Sequence, residues 1–340
     1  MKRIRMRWGG DITQWGRVVL SGIATAVMVV GSVLGAGPAT ARPAGYLPPV
    51  VPTESAPRQS DHLAAALYMK THPNAAPSGA NDFACAPTAA HPRPVVLAHG
   101  TDASAYTDWS AIAPRLAAEG YCVFALNYGG RPGAGTYGTE DMVLSGYQIA
   151  AFVDEVLAAT GARQVDLVGF SQGANVTRYY INKLGGASKV GVWVGLASPT
   201  YGGVMYGLVP IARQIPGAEQ VFERVLSVAA VQQAQGSQFM RELNSGGDTV
   251  PGVRYVTIGS RFDEMIQPFE NIALRGPGAE NIVLQDRCPV NLTGHFHMVY
   301  DPFVAELLLE ALDPQTAPTP VCVPVPLGTG IPQVIIGGNI

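Results

Sequence analysis

The stretch that most constrains the fold runs from Val165 to Gly173, with the sequence Val-Asp-Leu-Val-Gly-Phe-Ser-Gln-Gly. An apolar run with strand character leads into Gly-x-Ser-x-Gly, and a helical pattern follows until two glycines at 185–186 close it. So sharp a turn from strand to helix strains the serine backbone, and glycines flank it because larger side chains would clash. The stretch predicts a nucleophile elbow that presents Ser171 at the carboxyl edge of a sheet. The alternative is a glycine-rich turn with an ordinary surface serine.

Buried strands and amphipathic helices alternate through the middle of the chain. With 340 residues, 47% hydrophobic and 14% charged, the chain suits one large globular domain. Because the strand-like runs show little internal polar alternation, they predict parallel strands covered on both faces. The expected fold class is α/β, with a mostly parallel central sheet between helices. The runs are at residues 94–98, 121–126, 165–170, 190–196, 253–258 and 281–284.

The first 41 residues have the pattern of an export signal. An uncharged apolar stretch, 18–37, follows a basic start, and Ala39-Thr40-Ala41 fits an A-x-A cleavage site. We therefore expect a signal peptide over 1–41 and a secreted mature chain from Arg42. The alternative is an uncleaved membrane anchor, since the apolar stretch is long for a signal core. The basic side chains are Lys2, Arg3, Arg5, Arg7 and Arg17.

The charge of the mature chain argues against a nucleic-acid partner. Cleavage after Ala41 removes five basic side chains and Asp11, which takes the formal charge from −3 to −7. An acidic exported protein is a poor nucleic-acid binder. We expect no nucleic-acid partner and a monomer.

Changes in composition divide the mature chain into three parts, the second of which contains an insertion. Residues 42–80 are rich in proline and polar side chains and predict an irregular leader, and the catalytic domain is expected over 81–315. Within it, the strand–helix rhythm stops at 199–249, where an amphipathic helix is expected around residues 221–229. This insertion is either a lid over an apolar substrate site or a plain crossover helix. Residues 316–340 predict a tail rich in proline and valine.

The histidines after the serine are candidates for a general base. A serine hydroxyl is a weak nucleophile at neutral pH, so it needs a base and a third group that fixes the tautomer of that base. In a sheet of this kind the chain order is nucleophile, acid, histidine. Only His295 and His297 follow Ser171, and both fall in a loop after the last predicted strand.

The orienting acid is expected after the preceding strand. Asp263 follows the strand that ends at Ile258, which is the position where the acid is needed. A single loop carboxylate would be unremarkable by itself, but three suitable residue types occur in the required order. Two other carboxyl side chains compete with it: Glu264 and Asp286.

Two backbone N–H groups are expected to form an oxyanion hole. Gln172, directly after the candidate nucleophile, supplies one of them. The loop after the first sheet strand, His99-Gly100-Thr101, supplies the other, and we assign it to Thr101. His99 precedes Ser171 in the chain, so we expect it to have a structural role.

Several of these segments resemble the secreted actinobacterial lipases of the α/β-hydrolase superfamily, often called class 2 triacylglycerol lipases. The similarity runs from about Asn81 to Pro314. It is carried by VVLAHGT and GYCVFALNYG within 94–129, VDLVGFSQGANVTRYYI from 165, GSQFMRELNSGGDTVPGVRY from 236, Arg261-Phe262-Asp263, and His295 followed by Met298, Tyr300 and Asp301.

The resemblance implies an α/β-hydrolase fold and a triad of Ser171, Asp263 and a histidine. In that family the histidine stands six residues before an aspartate like Asp301, which favours His295 over His297. Such enzymes are ester hydrolases for acylglycerols or short acyl esters, and they usually act without a cofactor. The substrate expected here is a lipid or small ester, with a lipid–water interface as a possible site of action.

Four cysteines in the mature part predict two disulfide bonds in an oxidising compartment. None of them forms a C-x-x-C pair, so no zinc site is expected. Three pairings are formally possible. Cys85 lies just before the first sheet strand and Cys122 begins the next, so we expect these two to pair. Cys288 would then hold the tail through Cys322.

Three functions are compatible with the sequence. The leading one is a secreted carboxylic ester hydrolase that acts on lipids or other apolar esters through an acyl-enzyme. An acyltransferase would form the same acyl-enzyme and release it to an alcohol instead of water. A hydrolase fold that only binds at the cell surface is the third, and the predicted triad argues against it.

Overall fold

A sheet of six parallel strands organises the residues that this computed structural model describes, which are 42–204 and 227–337. Its strand order is β4-β3-β5-β6-β7-β8, and every neighbouring pair is parallel. β1 and β2 form a separate parallel pair. The strands are β1 (Glu54–Ala56), β2 (Ala75–Pro77), β3 (Val95–Ala98), β4 (Val123–Leu126), β5 (Val165–Phe170), β6 (Val190–Leu196), β7 (Arg254–Gly259) and β8 (Glu280–Val283).

Helices connect the strands and cover both faces of the sheet. The described α-helices are α1 (His62–Met69), α2 (Ala105–Trp109), α3 (Ile112–Ala118), α4 (Met142–Thr160), α5 (Gln172–Lys183), α6 (Val228–Gln232), α7 (Gln238–Asn244), α8 (Leu284–Arg287), α9 (Pro302–Leu312) and α10 (Ile331–Gly337). The predicted alternation of strand and helix is therefore present.

Successive residues of one strand explain why the predicted strand runs are apolar throughout. Val95 and Leu97 of β3 face the core layer formed with α3 and α9, whereas Val96 and Ala98 face the layer formed with α4 and α5. All four side chains are fully buried. Because side chains alternate between the faces of a strand, a sheet covered on both faces needs apolar residues at every position.

The strand order places the two loops of interest side by side. From β3 the chain first adds β4 on one side and then returns to add β5 on the other, so β3 and β5 are neighbours with Ala98 opposite Gly169. In open α/β sheets, ligands bind beyond the carboxyl ends of the strands at such a reversal. The loops that begin at His99 and Ser171 therefore emerge next to each other.

The leader and the tail contain more structure than the sequence predicted. The expected irregular leader, 42–80, includes helix α1 and the strands β1 and β2. Asp61 caps α1 by accepting a hydrogen bond from the Ala64 N–H group, at 2.9 Å, and this capping signal could have revealed the helix. The expected tail, 316–340, contains α10, which packs on α1. A contact between such distant segments is invisible to local sequence patterns.

Part of the predicted organisation lies outside the described residues. The signal peptide over 1–41 is one such part. The insertion at 199–249 is described at 199–204 and 227–249, where it contributes α6 and α7. Most of the amphipathic helix expected around 221–229 is also outside. Among the described helices, α4 is the one long and apolar enough to cross a membrane, but its apolar residues are core residues beneath the sheet.

Two disulfide bonds tie loops to the sheet region in the expected pairing. Cys85 is bonded to Cys122, and Cys288 is bonded to Cys322. The second bond is reinforced by backbone pairing, since the N–H group of Leu292 donates to the carbonyl of Val325 at 2.9 Å. The tail is therefore attached to the loop that leads to His295.

Candidate active site

Ser171 occupies the strained turn that the sequence predicted. Its φ angle is +51°, in a region of backbone conformation that residues other than glycine rarely adopt. A Cβ atom at Gly169 would lie against the backbone of Ala174, and one at Gly173 would lie against the carbonyl of Ala98. Both glycines are therefore required by close backbone approach. The turn places Ser171 between the end of β5 and the beginning of α5.

His295 lies between Ser171 and Asp263. Its Nε2 atom is 3.1 Å from Ser171 Oγ, and its Nδ1 atom is 2.9 Å from Asp263 Oδ2. A carboxylate only accepts hydrogen bonds, so the Nδ1–H tautomer donates to Asp263 and leaves Nε2 to accept the serine proton. All three side chains are at least 92% buried. The structure brings these three predicted residues together in the order expected along the chain.

The environment of His295 favours its protonated form more than water does. Burial lowers the pKa of the ring, but the charge and hydrogen bond of Asp263 raise it, with further contributions from Glu264 and Asp108. The net effect is a pKa above the usual value of 6.5. A ring whose affinity for a proton is raised in this way suits a general base.

The two competing carboxyl groups have other partners. Glu264 accepts a hydrogen bond from the backbone N–H group of His295 through Oε2, so it contacts the main chain of the histidine. Asp286 accepts a hydrogen bond from Arg261 Nη2 at 2.6 Å and forms an exposed ion pair with it. Of the three candidate acids, Asp263 is the one hydrogen-bonded to the ring.

The predicted oxyanion residues also adjoin each other. Thr101 Oγ1 donates to Gln172 Oε1 at 2.6 Å, and both Thr101 and Ser171 line one cavity. Gln233, which the sequence analysis did not identify, reaches the same pair from the insertion. Nothing in its local pattern indicates this position, because its partners are 132 and 61 residues away.

His99 supports the loop below the site. Its ring stacks on Tyr128 with 4.3 Å between the ring centroids, and its Nδ1–H group donates to the carbonyl of Gly100 at 2.8 Å. Its Nε2 atom accepts from the N–H group of Tyr128. Burial lowers the pKa of His99 to about 4, so the ring is neutral at physiological pH. These contacts fit the structural role expected from the sequence.

A second carboxyl group, Asp108, lines the cavity near the histidine. Its Oδ2 atom accepts from the backbone N–H group of Gly100 at 2.7 Å. Burial raises the pKa of Asp108 to about 7, although the hydrogen bond from Gly100 and the charge of His295 act in the opposite direction. With a pKa of about 7, this carboxyl group is only partly ionised near neutral pH.

The cavity above Ser171 has a volume of about 570 Å³ and mostly apolar walls. Phe170, Met265 and Val299 contribute to it from the sheet side. Helices α1 and α10 form a further wall of the cavity. The sequence patterns did not predict this wall, because they indicated an irregular leader and a tail in these segments. A cavity of this size accommodates a small ligand with an apolar chain.

The donor groups of the described residues do not suggest a metal centre. Within 42–204 and 227–337, no group of three or more His, Cys, Asp and Glu side chains is arranged so that it could hold a metal ion. The groups that the structure brings together are instead a hydroxyl, an imidazole and a carboxylate. Together they can perform nucleophilic acyl transfer.

Comparisons with known proteins show that the chain is similar to lipases. The model of a family described as lipase (class 2) matches residues 92–305. Triacylglycerol lipases from Pseudarthrobacter phenanthrenivorans and Burkholderia plantarii are each 39% identical over 92 residues, or 25% of this chain. The aligned segment spans only about a quarter of each relative, 27% and 24% of their lengths.

A solved structure shows the same fold. Lipase B from Aspergillus fumigatus superposes with a TM-score of 0.53 at 23% sequence identity, and the match covers 65% of this chain and 52% of that one. The central parallel sheet with helices on both faces is the α/β-hydrolase fold that the sequence predicted.

Proposed function

The chain belongs to the class 2 lipase family, and we propose from that premise that it is a serine ester hydrolase acting on lipid or other apolar esters. The observation that carries the proposal is the contact of His295 with Ser171 on one side and Asp263 on the other, at 3.1 and 2.9 Å. The largely apolar walls of the adjoining cavity support an apolar acyl group as the part of the substrate bound there.

In the proposed reaction, Ser171 Oγ attacks the ester carbonyl carbon while its proton passes to His295 Nε2. Asp263 holds the ring in the required tautomer and stabilises the imidazolium ion. The backbone N–H groups of Thr101 and Gln172 stabilise the oxyanion of the tetrahedral intermediate. The C–O bond to the alcohol then breaks, and the alcohol leaves with the proton from His295, so Ser171 carries the acyl group.

The second half of the reaction repeats these roles with water. His295 Nε2 removes a proton from water, and the resulting hydroxide attacks the acyl carbon. The second oxyanion collapses, the bond to Ser171 Oγ breaks, and His295 returns its proton to the serine. The carboxylic acid leaves and the enzyme is restored. All groups in the scheme come from one chain, so we propose that the enzyme works as a monomer.

The proposal includes secretion and a covered active site. Two disulfide bonds fit an oxidising compartment, and we assign residues 1–41 as the signal peptide that delivers the chain there. We assign the insertion at 199–249 as a cover, because Ala230, Val231 and Gln233 in its described part line the cavity. Amino-terminal sequencing of protein from the medium tests the cleavage, with Arg42 as the expected first residue.

Nitrophenyl esters of increasing acyl length test the activity directly. The mature chain, 42–340, should hydrolyse them, and Ser171→Ala should retain far less than one hundredth of that rate because triad residues act as a unit. Retention of more than about one hundredth would contradict the role of Ser171. Transfer of the acyl group to an added alcohol in preference to water would instead identify an acyltransferase. Failure of the folded wild type on every ester would contradict both activities.

A further inference from the structure

One amide side chain links the insertion to the predicted oxyanion hole. Gln233 directly follows α6, and its Nε2 atom lies 3.0 Å from Thr101 Oγ1 and 3.0 Å from Gln172 Oε1. Thr101 Oγ1 donates to the same oxygen of Gln172 at 2.6 Å. The three side chains therefore form a closed ring of hydrogen bonds that joins the loop after β3, the start of α5 and the insertion.

Burial shields the hydrogen bonds between Thr101, Gln172 and Gln233 from competition by water. Gln172 is completely buried and Gln233 is 98% buried, so water competes little for their hydrogen bonds. The ring is also incompletely paired, since Gln172 Nε2 and Gln233 Oε1 have no hydrogen-bond partner among the described residues. Unpaired buried amide atoms are unfavourable for folding. Stability is therefore a poor reason for placing two glutamines here.

We propose that Gln233 is a positioning residue for the oxyanion hole, an inference that rests on the proposed ester hydrolysis. Oxyanion donors must lie within about 2.7–3.1 Å of the oxygen that becomes charged, so the separation of the two loops is critical. Gln233 sets this separation by holding the side chains of Thr101 and Gln172, whose N–H groups are the assigned donors. The insertion then takes part in catalysis by assembling the hole, in addition to covering it.

The adjacent glutamine provides a matched control. Gln232 uses its amide away from the cavity, where Oε1 accepts from the Met142 N–H group at 2.8 Å and Nε2 donates to Asp141 at 2.7 Å. Gln233→Met and Gln232→Met each replace an amide by an apolar chain of similar length. Rates should be expressed per active site, titrated with a phosphonate that labels the serine, and thermal unfolding should confirm that both variants are folded.

Gln233→Met should lower kcat about 10-fold with little change in KM, because ground-state binding does not use the oxyanion hole. The loss should be smaller than the roughly 10²–10³ that removal of a donor itself costs. Binding of a trifluoromethyl ketone, which forms a tetrahedral oxyanion on the serine, should weaken by the same factor as kcat/KM. Gln232→Met should leave both values unchanged. A kcat for Gln233→Met within about twofold of wild type would overturn the inference.

Thr101→Val gives a second, independent test through a double-mutant cycle. Valine keeps the backbone N–H group and removes the hydroxyl that accepts from Gln233. If the two residues act through one ring, Gln233→Met should cost several-fold less in the Thr101→Val background than in wild type. Additive losses would overturn the inference. Gln233→Glu, which keeps the length but lacks the amide donors, serves if the methionine variant does not fold, and it should lose at least as much kcat.

These outcomes separate the inference from the proposed function. If wild type and Gln232→Met hydrolyse nitrophenyl esters while Gln233→Met does so equally well, ester hydrolysis stands and the positioning role fails. If none of the three proteins hydrolyses any ester, although all are folded, the proposed function fails first.

Discussion

Two adjacent carboxyl groups support the same histidine in different ways. Asp263 binds the ring through Oδ2, while its Oδ1 atom accepts from the N–H groups of Met265 and Ile266 at 2.9 and 2.7 Å. Glu264 binds the backbone of His295 instead. Asp263 thus favours one tautomer of the His295 ring, and Glu264 holds the main chain of the same residue. Sequence order alone left this choice open.

Replacement of Asp263 by asparagine should therefore be far more damaging than the same change at Glu264. An amide at 263 favours the wrong tautomer of His295, and the comparable change in the best-studied triad lowers kcat about 10⁴-fold. Glu264→Gln is the matched control and should lower kcat much less, since an amide oxygen can still accept from the His295 N–H group. Steady-state kinetics with a nitrophenyl ester measures both, and equal losses would contradict the assignment.

The pKa of His295 also predicts how kcat/KM depends on pH. Only the neutral ring of His295 can accept the serine proton, so kcat/KM should rise with pH through the pKa of that ring. This pKa is raised above 6.5, with Asp263 and Glu264 among the groups that raise it. The acid limb should therefore have its midpoint above pH 6.5, and Glu264→Gln should move it to lower pH by removing a nearby negative charge. A midpoint that stays fixed or moves upward in this variant would contradict the electrostatic account.

The two histidines of the His-Phe-His sequence can be compared directly as candidates for the base. His295 contacts Ser171, whereas His297 lies two residues later in the same 3₁₀ turn. His295→Ala should lose activity by several powers of ten, as expected for loss of the base, and His297→Ala should lose little. The reverse pattern in initial-rate measurements would show that the base is assigned two residues away from its true position.

At the scale of elements, the sequence patterns predicted secondary structure correctly where the local sequence determines it. The strand predicted at 190–196 is β6 with the same bounds, and the elbow lies where its glycines place it. Helix α10 could not be predicted, because none of its residues is buried and it depends on contact with α1. The hydrogen-bonded ring around Gln233 could not be predicted either, because it joins residues that are far apart in the chain. Long-range contacts, rather than local propensity, determine these parts.

The bond between Cys288 and Cys322 should matter more for catalysis than the other disulfide. It closes a loop of 34 residues and attaches the tail to the segment that leads to His295. In the chain-entropy model such a crosslink contributes about 4 kcal/mol to the free energy of unfolding. Replacing both cysteines by serine should lower Tm and also reduce kcat.

The bond between Cys85 and Cys122 supplies the control for this prediction. It closes a loop of similar length, 37 residues, at the edge of the sheet away from the histidine loop. The paired serine variant should lower Tm comparably while leaving kcat nearly unchanged. If both paired variants reduced kcat equally at a temperature where each is folded, the second disulfide would have no special link to the site.

At the scale of the whole molecule, the cavity is assembled from distant parts of the chain. His62, Ala66 and Met69 of α1 face it together with Val334 and Gly337 of α10. The family match, by contrast, covers 92–305 and includes neither helix. The proposed catalytic residues thus lie in the part of the chain that matches the family, while segments outside that part form a wall of the cavity.

Removal of residues 327–340 should therefore change the selectivity for acyl chain length more than it changes the rate of the catalytic step. Burial of one methylene group is worth about 0.8 kcal/mol, or up to about fourfold in kcat/KM. Without α10, the increase of kcat/KM with acyl length should become shallower, while the acetyl ester should react at nearly the wild-type rate. Deletion of 338–340 alone is the control and should preserve the wild-type slope. An unchanged slope in the larger deletion would mean that α10 does not contact the acyl chain.

The most direct test of the account is covalent labelling of the mature chain with a nitrophenyl alkylphosphonate, followed by intact-mass measurement and peptide mapping. The phosphorus mimics the tetrahedral carbon, and nitrophenol leaves as Ser171 Oγ attacks. We predict one phosphonyl group per chain, on the peptide that contains Ser171, with ester hydrolysis lost in proportion to labelling. Ser171→Ala should remain unlabelled. Stoichiometric labelling of another residue, or full activity after Ser171 is modified, would contradict the triad of Ser171, His295 and Asp263.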